Sequence, residues 1–190
     1  MPSVLLAVNS YFAKPKNFFN AMSIGAYITA FSPKAKEAAL RVARCADMAY
    51  DWCVGSSFFE STQDFFKEKS VKNGIAVVAY GFATLEFSHT YLKMVDLGKK
   101  LTYIQLMGGV SDIAFYALDI REVTKNTKNP FKEKFLTMVA NIITLVEVLS
   151  VVFALAWSSA FVLSSTTFLV LDATHFVAHF THYIFYSNAA

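Results

Sequence analysis

Basic residues are missing from the last third of this chain. Its 17 lysines and arginines end at Lys134, and the only acids in residues 135–190 are Glu147 and Asp172. A soluble domain needs charge over its whole surface, whereas a lysine, arginine or aspartate at a bilayer centre costs about 2.5–3.5 kcal/mol on insertion scales. The missing charge therefore argues against a soluble C-terminal part and predicts a membrane-embedded one.

Cysteine, proline and glycine are also scarce, at two, four and seven residues. Cys45 and Cys53 lie in one predicted helix about 12 Å apart, too far for a disulfide, and their spacing fits no zinc site. The few prolines and glycines argue against a disordered chain or a long linker. The apolar stretch 1–12 has no basic residue before it, so we expect no signal peptide.

Apolar side chains dominate what is present. Hydrophobic residues make up 55% of the 190-residue chain and charged residues 16%, against about 25% charged in ordinary globular domains. Between Lys34 and Asp51 the basic residues alternate with acids, which is unlike a nucleic-acid-binding arm. We therefore expect no nucleic acid among the partners. The expected partners are the lipid bilayer and other membrane or peripheral proteins, and the chain could be an oligomer or one subunit of a larger complex.

Residues 1–72 are predicted to form an amphipathic, interfacial helical region. The uncharged segment 17–32 is shorter than the ~20 residues that cross a bilayer upright, so we expect an interfacial or re-entrant helix there. Residues 34–59 have apolar side chains along one face of a helix and charges on the other. Such a face can lie on a membrane or pack on partner helices.

Residues 73–190 are predicted to form a membrane-embedded bundle of two helical hairpins. The first hairpin, 75–119, consists of helices 75–94 and 101–119, with Gly98 as the expected C-cap region of its first helix. The second, 135–186, consists of apolar helices 135–157 and 161–186 joined by a minimal turn. The predicted fold class is therefore an all-α integral membrane helical bundle with an amphipathic N-terminal region.

The one clear loop of the chain, 120–134, is rich in basic residues. The positive-inside rule places such a loop on the cytoplasmic side. Because the hairpin that follows turns once, residues 187–190 are expected to return to that side.

Each hydrophobic helix has one acid embedded in its interior, and two of these acids have a histidine three residues further on. An ionisable residue inside a membrane is a candidate functional residue because hydrocarbon makes it costly. Two carboxylates plus two Glu-x-x-His pairs form the ligand set of di-iron carboxylate bundles, and the set here is similar in number. The candidate metal ligands are Glu86, His89, Asp112, Glu147, Asp172, His175, His179 and His182.

The last four of these residues form one polar stripe, with steps of three, four and three residues. His175 and His179 could share a zinc or copper ion, with Asp172 or His182 as a third ligand. The stripe could also relay protons, since histidine titrates near neutral pH. Alternatively, it lines a contact between helices. We expect no cofactor, with two irons or a single zinc or copper as the alternative.

The two hydrophobic lobes 135–157 and 161–186, with a minimal turn between them, resemble the bilobed domain of chlamydial inclusion membrane proteins. The resemblance covers the hydropathy pattern of this last part of the chain. It implies a secreted effector inserted in a vacuole membrane, with its termini in the host cytosol. It implies no catalytic residues.

Two functions follow as hypotheses. The first is an integral membrane scaffold or interaction protein without catalytic activity. The alternative is a metal-dependent membrane oxidoreductase, or a proton or ion pathway, that uses the Glu, Asp and His side chains inside the bundle. A metal site requires these side chains to converge on one ion, whereas a scaffold allows them to scatter.

Overall fold

The structure is a computed structural model that describes residues 4–126, 130–157 and 162–187. These residues form seven α-helices, which confirms the all-α fold. The helices are α1 (Val4–Phe12), α2 (Pro15–Thr29), α3 (Lys36–Lys67), α4 (Val71–Phe87), α5 (Leu101–Lys125), α6 (Phe131–Ala156) and α7 (Ser165–His182). The π-helical turns Ser88–Leu92 and Tyr183–Ser187 extend α4 and α7, and the 3-10 turn Gly98–Lys100 precedes α5.

Local capping explains where several helices begin. The Ser70 hydroxyl accepts a hydrogen bond from the Asn73 backbone N–H at 3.1 Å, and Ser164 caps α7 through Thr167 N–H at the same distance. Pro15 lies in the first turn of α2, where its missing N–H has no cost. The Ser70 cap starts α4 at Val71, so the predicted boundary at residue 73 lies inside the first turn of this helix.

The first helix of the first hairpin ends earlier than its sequence predicts. The π-helical turn ends at Leu92, and Lys93 takes the left-handed conformation there with φ 54°. Gly98, expected to end this helix, instead has φ 47° at the start of the 3-10 turn before α5. The prediction of a helix through residue 94 was wrong because the left-handed residue at the helix end is a lysine, which carries no such signal in sequence.

Helices α2 to α7 form an antiparallel ring. Each packs on its neighbours in sequence, and α7 also packs on α2, so that both predicted hairpins and the N-terminal helices belong to one bundle. Helix α1 contacts α2 and the π-helical turn after α7. Because successive helices run antiparallel, the ends of α3, α5 and α7 lie at the same end of the bundle as the starts of α4 and α6.

Small side chains make the closest contacts between these helices, while large apolar side chains point outward. Ala43 and Ala46 of α3 are fully buried, whereas Tyr103 and Phe131 are 71% and 80% exposed. A Cβ at Gly109 of α5 would collide with a methyl group of Val152 on α6, so the two helices pack closely at this glycine. The bundle therefore exposes several large apolar side chains, while its closest helix contacts are made by small ones.

Among the described residues, α6 is the one helix that is long and apolar enough to cross a membrane by length and composition. It starts at Phe131, four residues before the predicted segment 135–157. The predicted turn between α6 and α7 falls on residues 158–161, which lie outside the described ranges. Helix α7 starts at Ser165, after the predicted position 161.

Candidate functional site

A half-open cavity of about 300 Å³, called the interior cavity below, lies between helices α4, α5 and α6. One acid from each helix lines it: Glu86, Asp112 and Glu147. The rest of the wall is mostly apolar and includes Ala79, Ala83, Gly108, Gly109, Val148 and Val152. The cavity is large enough for several water molecules. The structure therefore brings together three of the eight candidate residues, from three different helices.

The three acids of the interior cavity differ in their partners. The Glu86 carboxylate accepts a hydrogen bond from the Gln105 amide at 2.6 Å. The Oε1 atom of Glu147 is buried and has no hydrogen-bond partner. A buried carboxylate oxygen without a donor costs free energy unless it carries a proton or meets water. Glu147 therefore lies where a proton or a water molecule would stabilise it.

A second cavity of about 200 Å³, called the vestibule below, lies between α3 and the end of α4. Its wall contains Asp51 of α3 and Tyr91 of the π-helical turn, whose hydroxyl donates to Asp51 Oδ2 at 3.1 Å. Burial raises the pKa of Asp51 above its ordinary value, while the hydrogen bond from Tyr91 opposes the shift. Glu86 and Ala83 line the vestibule as well as the interior cavity.

Lys16, at the start of α2, is a charged interior residue that the sequence analysis missed. Its Nζ lies 5.6 Å from the centre of the Tyr50 ring, a cation–π geometry. Burial lowers the pKa of Lys16, and this is opposed by the electrostatic effect of Cys53, Glu60 and Asp112. Asp112 belongs to α5, so the ammonium group of Lys16 faces into the ring.

The predicted histidine stripe of α7 lies beside α1 and α2. The rings of His175 and His179 have centroids 6.2 Å apart, and both lie within electrostatic reach of Lys16. Asp172, at the other end of the stripe, lies within electrostatic reach of Glu147 on α6 and Asp47 on α3. The stripe therefore has a polar environment contributed by several helices.

His179 also holds the N-terminal helix in place. The Tyr11 hydroxyl of α1 lies 3.0 Å from His179 Nδ1, and Tyr11 is only 1% exposed. Its ring packs edge-on against Phe176, Phe180 and Tyr183. Burial raises the pKa of Tyr11 to about 12, so its hydroxyl stays protonated. One of the predicted metal ligands is therefore engaged in packing of α1.

The other two histidines of the candidate set lie apart from the interior cavity. His89 is in the π-helical turn, where its Nδ1 lies 3.0 Å from the Val95 carbonyl oxygen and 3.2 Å from the Leu97 backbone nitrogen. His182 lies 3.6 Å from a carboxylate oxygen of Glu133 at the start of α6. His89 thus contacts the loop before α5, and His182 contacts the first turn of α6.

Within the described ranges, no three His, Cys, Asp or Glu side chains are grouped closely enough to hold a metal ion. The eight candidates instead divide into the three acids of the interior cavity, the stripe segment 172–179, and the separate His89 and His182. A metal site at these residues stays a prediction.

A second polar group of α4, α5 and α6, called the paired cluster below, lies at one end of the bundle. Lys72 forms ion pairs with Asp119 and, at 2.7 Å, with Glu122. The buried Asn141 amide donates to the other oxygen of Asp119 at 2.6 Å. The charged members of this cluster lie near helix ends, where charge is common, so their residue types gave no sign of the cluster.

The sequence and the fold were compared with protein-family models, with curated proteins and with solved structures, and the chain matches none of them. The site geometry alone therefore carries the functional argument.

Proposed function

We propose that this protein is an integral membrane helical bundle whose polar interior conducts protons. The main support for this proposal is where polar and apolar side chains lie. Ionisable side chains face one another across the ring, while many large apolar side chains are exposed on its outside. Tyr50 of α3, for example, lies within electrostatic reach of Glu147 on α6 and Asp172 on α7. In a bilayer this arrangement shields charge from lipid and exposes apolar surface to it.

Membrane insertion would place the apolar exterior against lipid. Lipid tails provide no hydrophobic driving force between helices, so membrane helices associate through small residues such as the buried alanines Ala76, Ala79 and Ala140. The predicted hairpins 75–119 and 135–186 are the proposed membrane-embedded segments. The basic segment 120–134 was predicted as a loop, but it includes the last turns of α5 and the first turn of α6. We place this segment on the cytoplasmic side, at the same end of the bundle as the end of α7.

Proton conduction is favoured over a purely structural role by the chemistry of the interior side chains. They are carboxyl, phenol, imidazole and amine groups, all of which exchange protons. Keeping several of them inside a membrane is costly, and a scaffold has no need for that cost. Glu147, whose buried oxygen lacks a donor, is the residue expected to bind a proton in the pathway.

The test is proton uptake into vesicles that contain the purified protein and a pH-sensitive dye, driven by a potassium gradient with valinomycin. We expect uptake well above that of protein-free vesicles, and a large loss of uptake in Asp112→Asn and Glu147→Gln. Glu37→Gln is the matched control, because Glu37 is exposed on α3 and pairs only with Arg41 in its own helix.

Wild-type uptake equal to that of protein-free vesicles would overturn proton conduction and leave the scaffold hypothesis, which crosslinking of neighbouring proteins in the native membrane then tests. Vacuole-membrane insertion, implied by the resemblance to inclusion membrane proteins, would be supported by the position of a tagged protein in infected cells. For the metal-dependent alternative, elemental analysis for Fe, Mn, Zn and Cu would be compared with a His175→Ala, His179→Ala variant. Stoichiometric metal that disappears in the variant would favour that alternative.

A further inference from the structure

The two cavities of this bundle share part of their walls. The vestibule lies between α3 and α4, and the interior cavity lies between α4, α5 and α6. Both are lined by Ala83 and Glu86, which are three residues apart and therefore on one face of α4. Helix α4 is thus the common wall, and its small residue Ala83 leaves room beside the carboxylate of Glu86.

The vestibule lies at the end of α4, and the interior cavity reaches the same end of the bundle at Ile104 of α5 and Leu155 of α6. Thr90 and Tyr91, which line it, belong to the π-helical turn that ends at Lys93. Asp51 faces this cavity from α3 and lies within electrostatic reach of Glu86. A proton that enters here therefore meets Asp51 and Tyr91 before it reaches Glu86.

The interior cavity continues the series of ionisable groups on the other side of Glu86. It is lined by Asp112 and Glu147, and Asp112 in turn lies within electrostatic reach of Lys16 on α2. The two cavities therefore connect Asp51 with Asp112 and Glu147 through Glu86, which lines both.

We propose that protons enter through the vestibule and pass into the interior cavity at the Glu86 carboxyl group. Its carboxylate accepts a proton from a water molecule on the vestibule side and releases one to a water molecule on the interior side, so that no charge is left behind. Gln105 is the positioning residue, because its amide holds Glu86 Oε1 at 2.6 Å toward α5. This route rests on the proposed proton conduction and assigns its entrance.

Two kinds of variant test this route in the vesicle assay. Glu86→Gln keeps the size of the side chain but removes the exchangeable proton, and we expect about a 100-fold loss of uptake, within the range for removal of a proton-transfer group. Glu86→Asp keeps the carboxyl group and should restore part of the uptake. Gln105→Leu should leave a conducting protein with an altered pH dependence, because the carboxylate loses its hydrogen-bond donor.

Ala83→Phe tests the passage by size. A phenyl ring at this position fills the space beside Glu86, and we expect uptake to fall to the level of protein-free vesicles. Val78→Phe is the matched control, since Val78 belongs to the same helix, is 48% exposed and lines neither cavity. Uptake by this control should equal that of the wild type. Circular dichroism and gel filtration in detergent identify any variant that fails to fold, and in that case Ala83→Leu replaces Ala83→Phe.

The outcomes separate the route from the function. Normal uptake in folded Glu86→Gln and Ala83→Phe, together with lost uptake in Asp112→Asn, would overturn the route while leaving proton conduction intact. Absent uptake in the wild type would overturn both. Loss in both Glu86→Gln and Ala83→Phe, with normal uptake in Val78→Phe, would establish Glu86 as the entrance to the interior cavity.

Discussion

The paired cluster and the interior cavity are two polar regions built from the same three helices, and they differ in whether their charged groups have partners. In the paired cluster, Lys72 contacts both Asp119 and Glu122, and Asn141 donates to Asp119. In the interior cavity, Glu147 has a buried oxygen with no donor. The first region satisfies its charges within the protein, whereas the second leaves hydrogen-bonding capacity for water or a proton.

The difference is a guide to which buried charges stabilise the fold. Removing one partner of a buried charge pair leaves the other charge uncompensated, whereas a buried acid without a donor itself costs stability and is retained for another reason. We therefore expect single substitutions in the paired cluster to lower stability, and substitutions of the three acids of the interior cavity to impair proton uptake with little loss of stability.

The largest effect is expected for Lys72→Met. The substitution leaves Asp119 without its cation at a site where the lysine and aspartate side chains are 24% and 23% exposed. Removal of one partner of a fully buried pair costs about 3–5 kcal/mol, so we expect about 2–3 kcal/mol at this half-buried one. Thermal unfolding in detergent, followed by circular dichroism, should show a midpoint lower by about 4–10 °C. An unchanged midpoint would contradict the stabilising role of the paired cluster.

Gly109→Ala should have the next largest effect. The added methyl group collides with Val152, so α5 and α6 must separate at the wall of the interior cavity. Overpacking of this kind costs about 1–3 kcal/mol. Gly25→Ala is the control, since a Cβ there meets no atom within 4 Å and should stabilise α2 by up to about 1 kcal/mol. If both variants melt at the same temperature, the close contact between α5 and α6 is not required.

Glu147→Met should raise stability slightly. The variant removes a buried carboxylate oxygen that has no donor and keeps a similar side-chain volume. We expect a gain of about 1 kcal/mol, or about 2–4 °C in the melting midpoint, together with loss of proton uptake. A fall in the midpoint would instead mean that this acid stabilises the fold, which would remove the contrast with the paired cluster.

The smallest effect is expected from Asp51→Asn in the vestibule, measured as the pH dependence of melting. Asp51 lies in α3, outside the proposed membrane-embedded segments. Since burial raises its pKa, its contribution to stability is fully present below the unfolded value near 3.8 and is lost as pH rises through the folded value. Asparagine does not titrate. Between acid and neutral pH, the melting midpoint of the variant should therefore fall less than that of the wild type. An equal fall in both proteins would contradict this prediction.

The helices themselves followed from local patterns in the sequence. Ser70 and Ser164 cap their helices. The lack of charge after Lys134 predicted two apolar helices, and among the described residues α6 is the one that is long and apolar enough to cross a membrane. The end of the first hairpin was mispredicted because it depends on the backbone conformation of Lys93. A left-handed lysine is set by the packing around the turn and leaves no signal in residue type.

The grouping of the polar residues followed only partly from the sequence. The selection of Glu86, Asp112 and Glu147 rested on the cost of acids inside apolar helices, and these three residues do line one cavity. Spacing also suggested that His89 extends a polar face with Glu86. The π-helical turn instead directs His89 to the backbone of the following loop, at Val95 and Leu97.

The sequence by itself determined the helical fold, the apolar character of the second hairpin and the presence of one acid in each hydrophobic helix, because these properties depend on neighbours within a few residues. Only the tertiary structure decided that Lys16 faces Asp112 across the ring and that Glu86 lines two cavities. Such pairings depend on the rotation and closure of six helices. Rotation and closure are set by contacts such as Gly109 with Val152, between residues far apart in the chain.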